Sequence, residues 1–331
     1  MILMSVGLPI YRSKQIAWLA LEGLCRQRGV DFDWELVIAE EDENCFGYSS
    51  VMEYSKRLEA VGCVKVNYMP LGKWIPLSDK IAMLARNCSS ESEVYVPGPG
   101  DYFSPPERLA TIKRAWDACR FDWFTPTKLI LYNIKDGRTL VSDSNLRKRK
   151  DDCLGRAISL SALREAVDKI HNRKSSVDGL VWKSVNNSSR SRFVMCFDNS
   201  ENWKHGLCVT GAGLLSKHTQ YCYDRPLRHQ YPCPFDLKET IPADILDRLK
   251  NIAYLAHPVA PSKPLVHASS KPKFKRFTRD SSNNKKLKGL ALFNLPLPDF
   301  MIKRIMKLPP DEMQRACKDP IGYAKKMKWL K

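Results

Sequence analysis

The chain has 331 residues, 44% hydrophobic and 27% charged, too apolar for general disorder and long enough for one large α/β core with an appendage. No run nears the roughly 18 apolar residues of a membrane span, and the opening MILMSVGLPIY lacks the basic flank and cleavage site of a secretory leader. The formal charge of +18 is concentrated at one end: Lys263 to Lys331 hold eighteen Lys or Arg against five Asp or Glu, a net +13 that points to an anionic polymer or surface as partner.

In chain order, ILMSVGLPIY is an apolar run of strand formers, followed by helical spacing through Ile16, Leu19, Ala20, Gly23 and Leu24. WELVIAEEDE predicts a second buried strand running into acids, Val51 to Val61 a helix, and CVKVNYM a third strand. Ser78 to Asn87 predicts a helix with Ser78 as its N-cap. EVYVPGPGDYFSPP predicts a strand breaking into a Gly/Pro loop, and Glu107 to Cys119 a helix. FTPTKLILYNI and RTLVSDS predict a hairpin through Lys135-Asp136-Gly137. A basic loop, LRKRKDD, precedes a helix over ISLSALREAVDKIHN, and SRFVMCFD and LCVTGAG predict two more strands. YDRPLRHQYPCPFDLKETIPA is proline-rich and reads as an exit from the core, and Ile241 to Ala256 predicts an amphipathic helix. Pro258 to Lys288 reads as a linker or an arm that orders on binding, and the last block has enough apolar residues to dock as short helices.

Alternating strands and helices imply a mostly parallel sheet with right-handed crossovers, whose ligands collect at the C-terminal strand ends. Those ends hold Pro9 to Arg12, Glu40 to Asp42 and Gly98 to Asp101, so three loops converge on one crevice. The domain division expected is 1–240 for the α/β unit and 241–331 for a basic helical and linker extension. Eleven cysteines without a CxxC pair, and without a leader, point to reduced thiols and a cytoplasmic protein.

The order of these elements resembles the family 2 glycosyltransferases of GT-A fold, which move a sugar from a nucleotide diphosphate donor. VGLPIYRSKQIAWLALEGLCRQ resembles the family's first strand and helix, with Pro9 and Tyr11 in the loop that touches the nucleoside base and Gln27 closing the helix. The resemblance makes Glu40 and Glu41 the acidic pair facing base or ribose, and SDKIAMLARNC the segment along the donor, with Lys80, Arg86 and Asn87 available to phosphates and sugar. GPGDYFSPPERL stands where the family carries its metal-binding acids, but Gly98 and Gly100 replace residues that are usually Asp, leaving Asp101. A divalent ion, Mg²⁺ or Mn²⁺, bridging the diphosphate wants hard oxygen ligands, so a lone Asp101 holds it weakly or with help from elsewhere, His218 being a candidate.

Inverting transfer also needs a general base at the acceptor hydroxyl. The resemblance places Asp178 there, with Trp182 as an acceptor-stacking wall, in KSSVDGLVWKSV. Each residue has a structural alternative: Pro9 shaping a strand end, the acids of residues 40–43 a solvated loop, Asp101 a helix cap, Asp178 a turn, and His205 and His218 satisfied histidines. Lys273, Lys275 and Arg276 interleave with Phe274 and Phe277, and Arg147, Lys148, Arg149 and Lys150 precede the acceptor-side helix. Basic residues among aromatics suit phosphate contact and base stacking. DNA carrying a hydroxymethylated pyrimidine is therefore the acceptor expected, as in phage-type enzymes that glycosylate their genomes. A polysaccharide or cell-surface transferase with a membrane-lying tail is one alternative, and a non-catalytic nucleic-acid-binding protein on a degenerate transferase fold is another.

Overall fold

The structure, a computed structural model, describes residues 1–10, 14, 16–41, 45–126, 128–133, 139–143, 157–170, 181, 185, 193–196, 207–210, 230–232, 241–256, 304, 308, 312, 315–316 and 320–329. The apolar runs become strands β1 (Ile2–Ile10), β2 (Asp33–Glu40), β3 (Cys63–Pro70) and β4 (Val94–Pro97). Between them lie helices α1 (Trp18–Cys25), α2 (Tyr48–Met52), α3 (Ser55–Glu59) and α4 (Leu77–Asn87). After a loop come β5 (Tyr102–Phe103), α5 (Arg108–Cys119), β6 (Trp123–Pro126), β7 (Lys128–Asn133) and β8 (Thr139–Asp143). Then follow β9 (Ala157–Ser159), α6 (Leu160–Val167), β10 (Phe193–Cys196), β11 (Leu207–Thr210), β12 (Gln230–Pro232), α7 (Ala243–Ala256) and α8 (Pro320–Lys326).

Seven strands form one sheet in the order β10-β6-β9-β4-β1-β2-β3. All its pairings are parallel except those of β9, which runs against both β4 and β6. This is the α/β arrangement expected, a mostly parallel sheet flanked by helices. Along β2 the side chains alternate between two apolar layers. Trp34, Leu36 and Ile38 face the layer of α1, α3 and α5, while Val37 and Ala39 face α4 and α6. Both faces are covered, so these central strands read as continuous apolar runs rather than alternating ones.

A second sheet, β12-β8-β7-β11-β5, was not anticipated. The chain enters it twice from the C-terminal ends of central strands, from β4 through Asp101 into β5 and from β6 through residue 127 into β7. The β7–β8 hairpin is antiparallel as expected, its turn lying outside the described residues. Gln230–Pro232, in the segment expected to leave the core, instead pairs antiparallel with β8, since an edge position tolerates Pro232.

Two local expectations are corrected. The helix expected over Val51 to Val61 is two helices, because the Ser55 hydroxyl donates to Met52 O at 2.7 Å and competes with the helical ladder. Ser78 is not an N-cap: α4 opens at Leu77 behind Pro76, whose carbonyl takes the Asp79 and Lys80 N–H groups at 3.0 Å, and Ser78 is buried in the first turn.

Helix α1 lies so close to the chain at Ser104 that a Cβ on Gly23 would meet the Ser104 nitrogen at 2.4 Å. Gln27 closes that contact: its amide donates to Gly23 O and Pro105 O, and its carbonyl accepts the Leu109 N–H. Ile241, Ile245, Leu246 and Leu249 of the α7 region join the same apolar layer, as does Ala316, with Leu308, Tyr323 and Trp329 packed against it. Arg248 stacks over Trp18 at 3.9 Å, and Arg26 pairs with Asp244 at 2.5 Å. Among the described residues, no helix is long and apolar enough to cross a membrane, and Cys25, Cys45, Cys63 and Cys88 are free thiols.

Candidate active site

The chain runs outward from β1 to β2 to β3, then returns to lay β4 on the other side of β1. The strand order therefore reverses between β1 and β4, the place in an open α/β sheet where ligands collect. Gly98 N–H donates to Gly7 O at 2.8 Å, which carries the β1–β4 pairing one step past Pro97. On the α4 side Gly7 makes room for Tyr95, whose hydroxyl would sit 2.1 Å from a Cβ there.

Glu40 and Glu41 end β2 on opposite faces, and both are buried. Glu40 turns toward the α1–α3 layer, where Oε1 accepts the Phe46 N–H at 2.6 Å and Oε2 accepts the Gly47 N–H at 3.0 Å and the Tyr68 hydroxyl at 2.8 Å. It thus anchors Phe46 and Gly47, which lead into α2. Glu41 turns toward α4 and pairs with Lys80 at 2.5 Å, both side chains at most 3% exposed. The Lys80 ammonium also donates to Ile10 O, the last carbonyl of β1, at 2.8 Å. Burial pulls the Lys80 pKa below its ordinary value, partly offset by Glu41. Glu41 Oε2 has no hydrogen-bond partner among the described residues. One buried cation thus ties together the C-terminal ends of β1 and β2.

Asp101 occupies the passage from the central sheet into the second. A turn closed by Tyr102 N–H to Pro99 O at 3.1 Å delivers it there. Desolvation pushes its carboxyl up to about 6, opposed by its own backbone N–H. Sequence reasoning missed Arg108, which is buried and brackets this loop. Its guanidinium donates to Pro97 O before the loop at 2.7 Å and to Ser104 Oγ after it at 2.9 Å, and lies 4.9 Å over the Tyr102 ring. The usable signal was the i,i+4 spacing of Ser104 and Arg108 at a helix start. Tyr68, which holds Glu40, was missed as well.

The structure brings Pro9, Glu40, Glu41, Lys80 and Asp101 to the C-terminal end of the sheet; Pro9, half-buried, sits opposite Ala39. It does not bring Arg86 and Asn87 there. Helix α4 runs back along the sheet, so its last turn lies by the strand starts: Arg86 is exposed and pairs with Asp168 at 2.9 Å, and the Asn87 amide donates to Met83 O. Tyr11, Asp178, Trp182, His205, His218, Arg147, Lys148, Arg149, Lys150, Lys273, Lys275 and Arg276 lie outside the described residues. Among the described residues no three His, Cys, Asp or Glu side chains converge to hold an ion, and the 98–101 loop supplies one carboxylate.

No protein-family model matches the chain, and neither does any curated protein. Solved structures do align with part of it. The S. aureus TarS 1-349 complex with UDP-GlcNAc is 15% identical, with 66% of this chain and 61% of that one covered and a TM-score of 0.49. S. aureus TarS is 15% identical over 63% of this chain and 37% of that one, at 0.46. A UDP-glucose pyrophosphorylase complexed with UDP-glucose is 11% identical over 56% and 87%, at 0.35. The chain thus spans less than two thirds of the TarS structures, and at these identities and scores its chemistry is argued from its own residues.

Proposed function

We propose that this chain is a glycosyltransferase that moves a sugar from a nucleotide diphosphate donor to a hydroxyl acceptor, and that the acceptor is a hydroxymethylated pyrimidine base in DNA. The observation that carries the donor half is the reversal of strand order between β1 and β4. There a partly desolvated Asp101 stands where the strand order reverses, beside strand ends tied by the Lys80–Glu41 pair. The family resemblance of the 1–224 sequence agrees with that placement.

In this reading Lys80 is not a phosphate ligand. Its ammonium is spent on Glu41 and Ile10 O, so it positions the loops that follow β1 and β2. Asp101, ionised above about 6, accepts hydrogen bonds from the donor sugar and orients it. Asp178 takes the acceptor proton as general base while Trp182 stacks on the acceptor. The described residues do not by themselves fit a divalent ion, so no step is routed through one.

The acceptor half rests on charge. The net +13 of the last 69 residues suits a polyanion, and Lys273, Lys275 and Arg276 beside Phe274 and Phe277 suit phosphate contact with base stacking. A base within a duplex would have to be flipped out, at a cost of roughly a few kcal/mol. Truncating this region wholesale is a poor test, because Ala316 and Ala324 are buried and Tyr323 and Trp329 pack on the main core. The decisive measurement is nucleoside mass spectrometry on hydroxymethylated and plain DNA incubated with the protein and a panel of nucleotide-sugars. One added sugar on the modified base alone is the expected result. Donor turnover without DNA modification would move the acceptor to a polysaccharide, and no turnover of any donor would leave a non-catalytic nucleic-acid-binding protein.

A further inference from the structure

The end of helix α8 places a lysine in a left-handed backbone conformation. Helix α8 ends with the Trp329 N–H donating to Ala324 O at 2.8 Å and the Lys328 N–H to Lys325 O at 3.0 Å, while Lys328 takes a φ of +54°. This paired closure around a left-handed residue is the helix ending at which glycine is the usual occupant. Its customary apolar contact is present, since the Trp329 ring returns edge-on to Tyr323 at 5.7 Å. Only the glycine is missing, and a lysine holds its place.

One other described non-glycine residue has a positive φ, Arg120 at +48°, and the contrast is informative. Arg120 pairs with Glu93 at 2.7 Å and lies over Trp116 at 5.2 Å, so its side chain offsets its backbone. Lys328 is exposed and makes no ion pair among the described residues. Favourable interaction with the helix dipole accounts for Lys325 and Lys326 in the final turn, but Lys328 lies beyond it. A left-handed backbone held at an exposed cation that makes no ion pair among the described residues points to a role for that cation outside the fold.

The surroundings fix what that function is. Ala316 and Ala324 are fully buried and Leu308, Tyr323 and Trp329 pack on the main core, so this segment is docked. Outward it shows Arg315, Lys325, Lys326 and Lys328, with Arg304 over Trp329 at 5.7 Å. Among the described residues of the segment Glu312 is the exposed acid, and it accepts the Tyr323 hydroxyl at 3.3 Å. A helix built to lie on a membrane would turn an apolar face outward. Among the described residues of this segment Leu308, Ala316, Tyr323, Ala324 and Trp329 are buried or half-buried against the protein, and Met327 is the one exposed large hydrophobic.

We propose that Arg315, Lys325, Lys326 and Lys328 form a rigid phosphate-contacting patch for duplex DNA, distinct from the basic stretch at Lys271 to Lys288. The patch deepens the DNA-acceptor reading by naming a docked surface that holds the polymer.

The test is fluorescence anisotropy with a labelled duplex across a salt series, without donor, on the full chain and two variants. Lys328→Gly melts at or above the wild-type temperature, because glycine takes the left-handed conformation without strain. Its log-affinity against log-salt slope is nevertheless shallower by about one. The triple variant Lys325→Gln, Lys326→Gln, Lys328→Gly has a slope shallower by about three and binds at least about tenfold more weakly at low salt. Wild-type affinity and slope in the triple variant would overturn the patch. So would a Lys328→Gly protein that melts lower but binds normally, or a patch-dependent preference for phosphatidylserine vesicles over duplex. Sugar transfer to DNA with no effect of the triple variant sinks the patch and keeps the acceptor reading. Patch-dependent binding without transfer does the reverse.

Discussion

Glu40 and Glu41 are consecutive, chemically identical and equally buried, yet the layers on either side of β2 treat them differently. On the α1–α3 side Glu40 is surrounded by three neutral donors. On the α4 side Glu41 meets a lysine that has itself been taken out of water. A carboxylate satisfied by backbone N–H groups is a structural fastener. One balanced against a buried ammonium is worth having only where its position matters, because the pair's desolvation consumes most of its Coulomb gain. The difference assigns anchoring of the approach to α2 to the first layer and the tie between the ends of β1 and β2 to the second.

The largest effect is expected from breaking the α4-side pair. Lys80→Met leaves Glu41 buried and uncompensated, so denaturant unfolding should show a loss of about 3–5 kcal/mol. The double variant Lys80→Met, Glu41→Leu should regain most of that stability, since an apolar pair of similar volume costs little. Nucleotide-sugar affinity measured by calorimetry should stay low in the double variant, because the tie to Ile10 O is gone as well. Recovered affinity would reduce the pair to a stability element and erase the contrast with Glu40.

Asp101 comes next. Asp101→Asn should cut transfer about 10²- to 10³-fold with little change in fold, the usual cost of removing one electrostatic contact at a reacting centre. The pH dependence gives a separate reading. Because the folded carboxyl is pushed up to about 6 from 3.8, its contribution to stability is complete below the lower value and lost as pH rises through the upper one. Wild-type stability should therefore fall relative to Asp101→Asn between about pH 4 and 6, while transfer rises with a midpoint at about pH 6 as the folded carboxylate forms. Parallel curves for the two proteins would remove Asp101 from the site.

The central sheet was legible because β1, β2 and β4 are buried on both faces and read as continuous apolar runs ended by Pro, Glu and Gly/Pro. The second sheet was legible only as its strands β7, β8 and β11, because nothing within a strand names the partner it joins, and Gln230–Pro232 carries a proline that argues against a strand. Glu41 and Asp101 were legible as charges at strand ends, and Lys80 through the family resemblance of its helix. Their partners were not: Lys80 meets Ile10 O across 70 residues, and Arg108 reaches back to Pro97 O past a turn, contacts that no periodicity encodes. Arg86 and Asn87 were placed at the crevice with Lys80 because they share α4, but six residues of helix rise, about 9 Å, carry Arg86 toward the opposite end of the sheet.

The smallest expected effect bears most directly on the two layers. In Glu40→Gln one oxygen becomes an NH₂ donor, and each oxygen of Glu40 now accepts at least one backbone N–H. The better orientation keeps an oxygen toward Gly47 and Tyr68, whose hydroxyl can rotate, and turns the NH₂ toward the Phe46 N–H. One buried donor is then left facing another, at about 1–3 kcal/mol. Tyr68→Phe removes a single neutral bond and should cost about 1 kcal/mol. If Glu40 is a fastener, both variants lose stability in that order while donor affinity changes less than stability does. If instead Glu40→Gln abolishes donor binding with an unchanged melting temperature, the carboxylate reaches the nucleoside, and the two glutamates share one role from opposite faces of the strand.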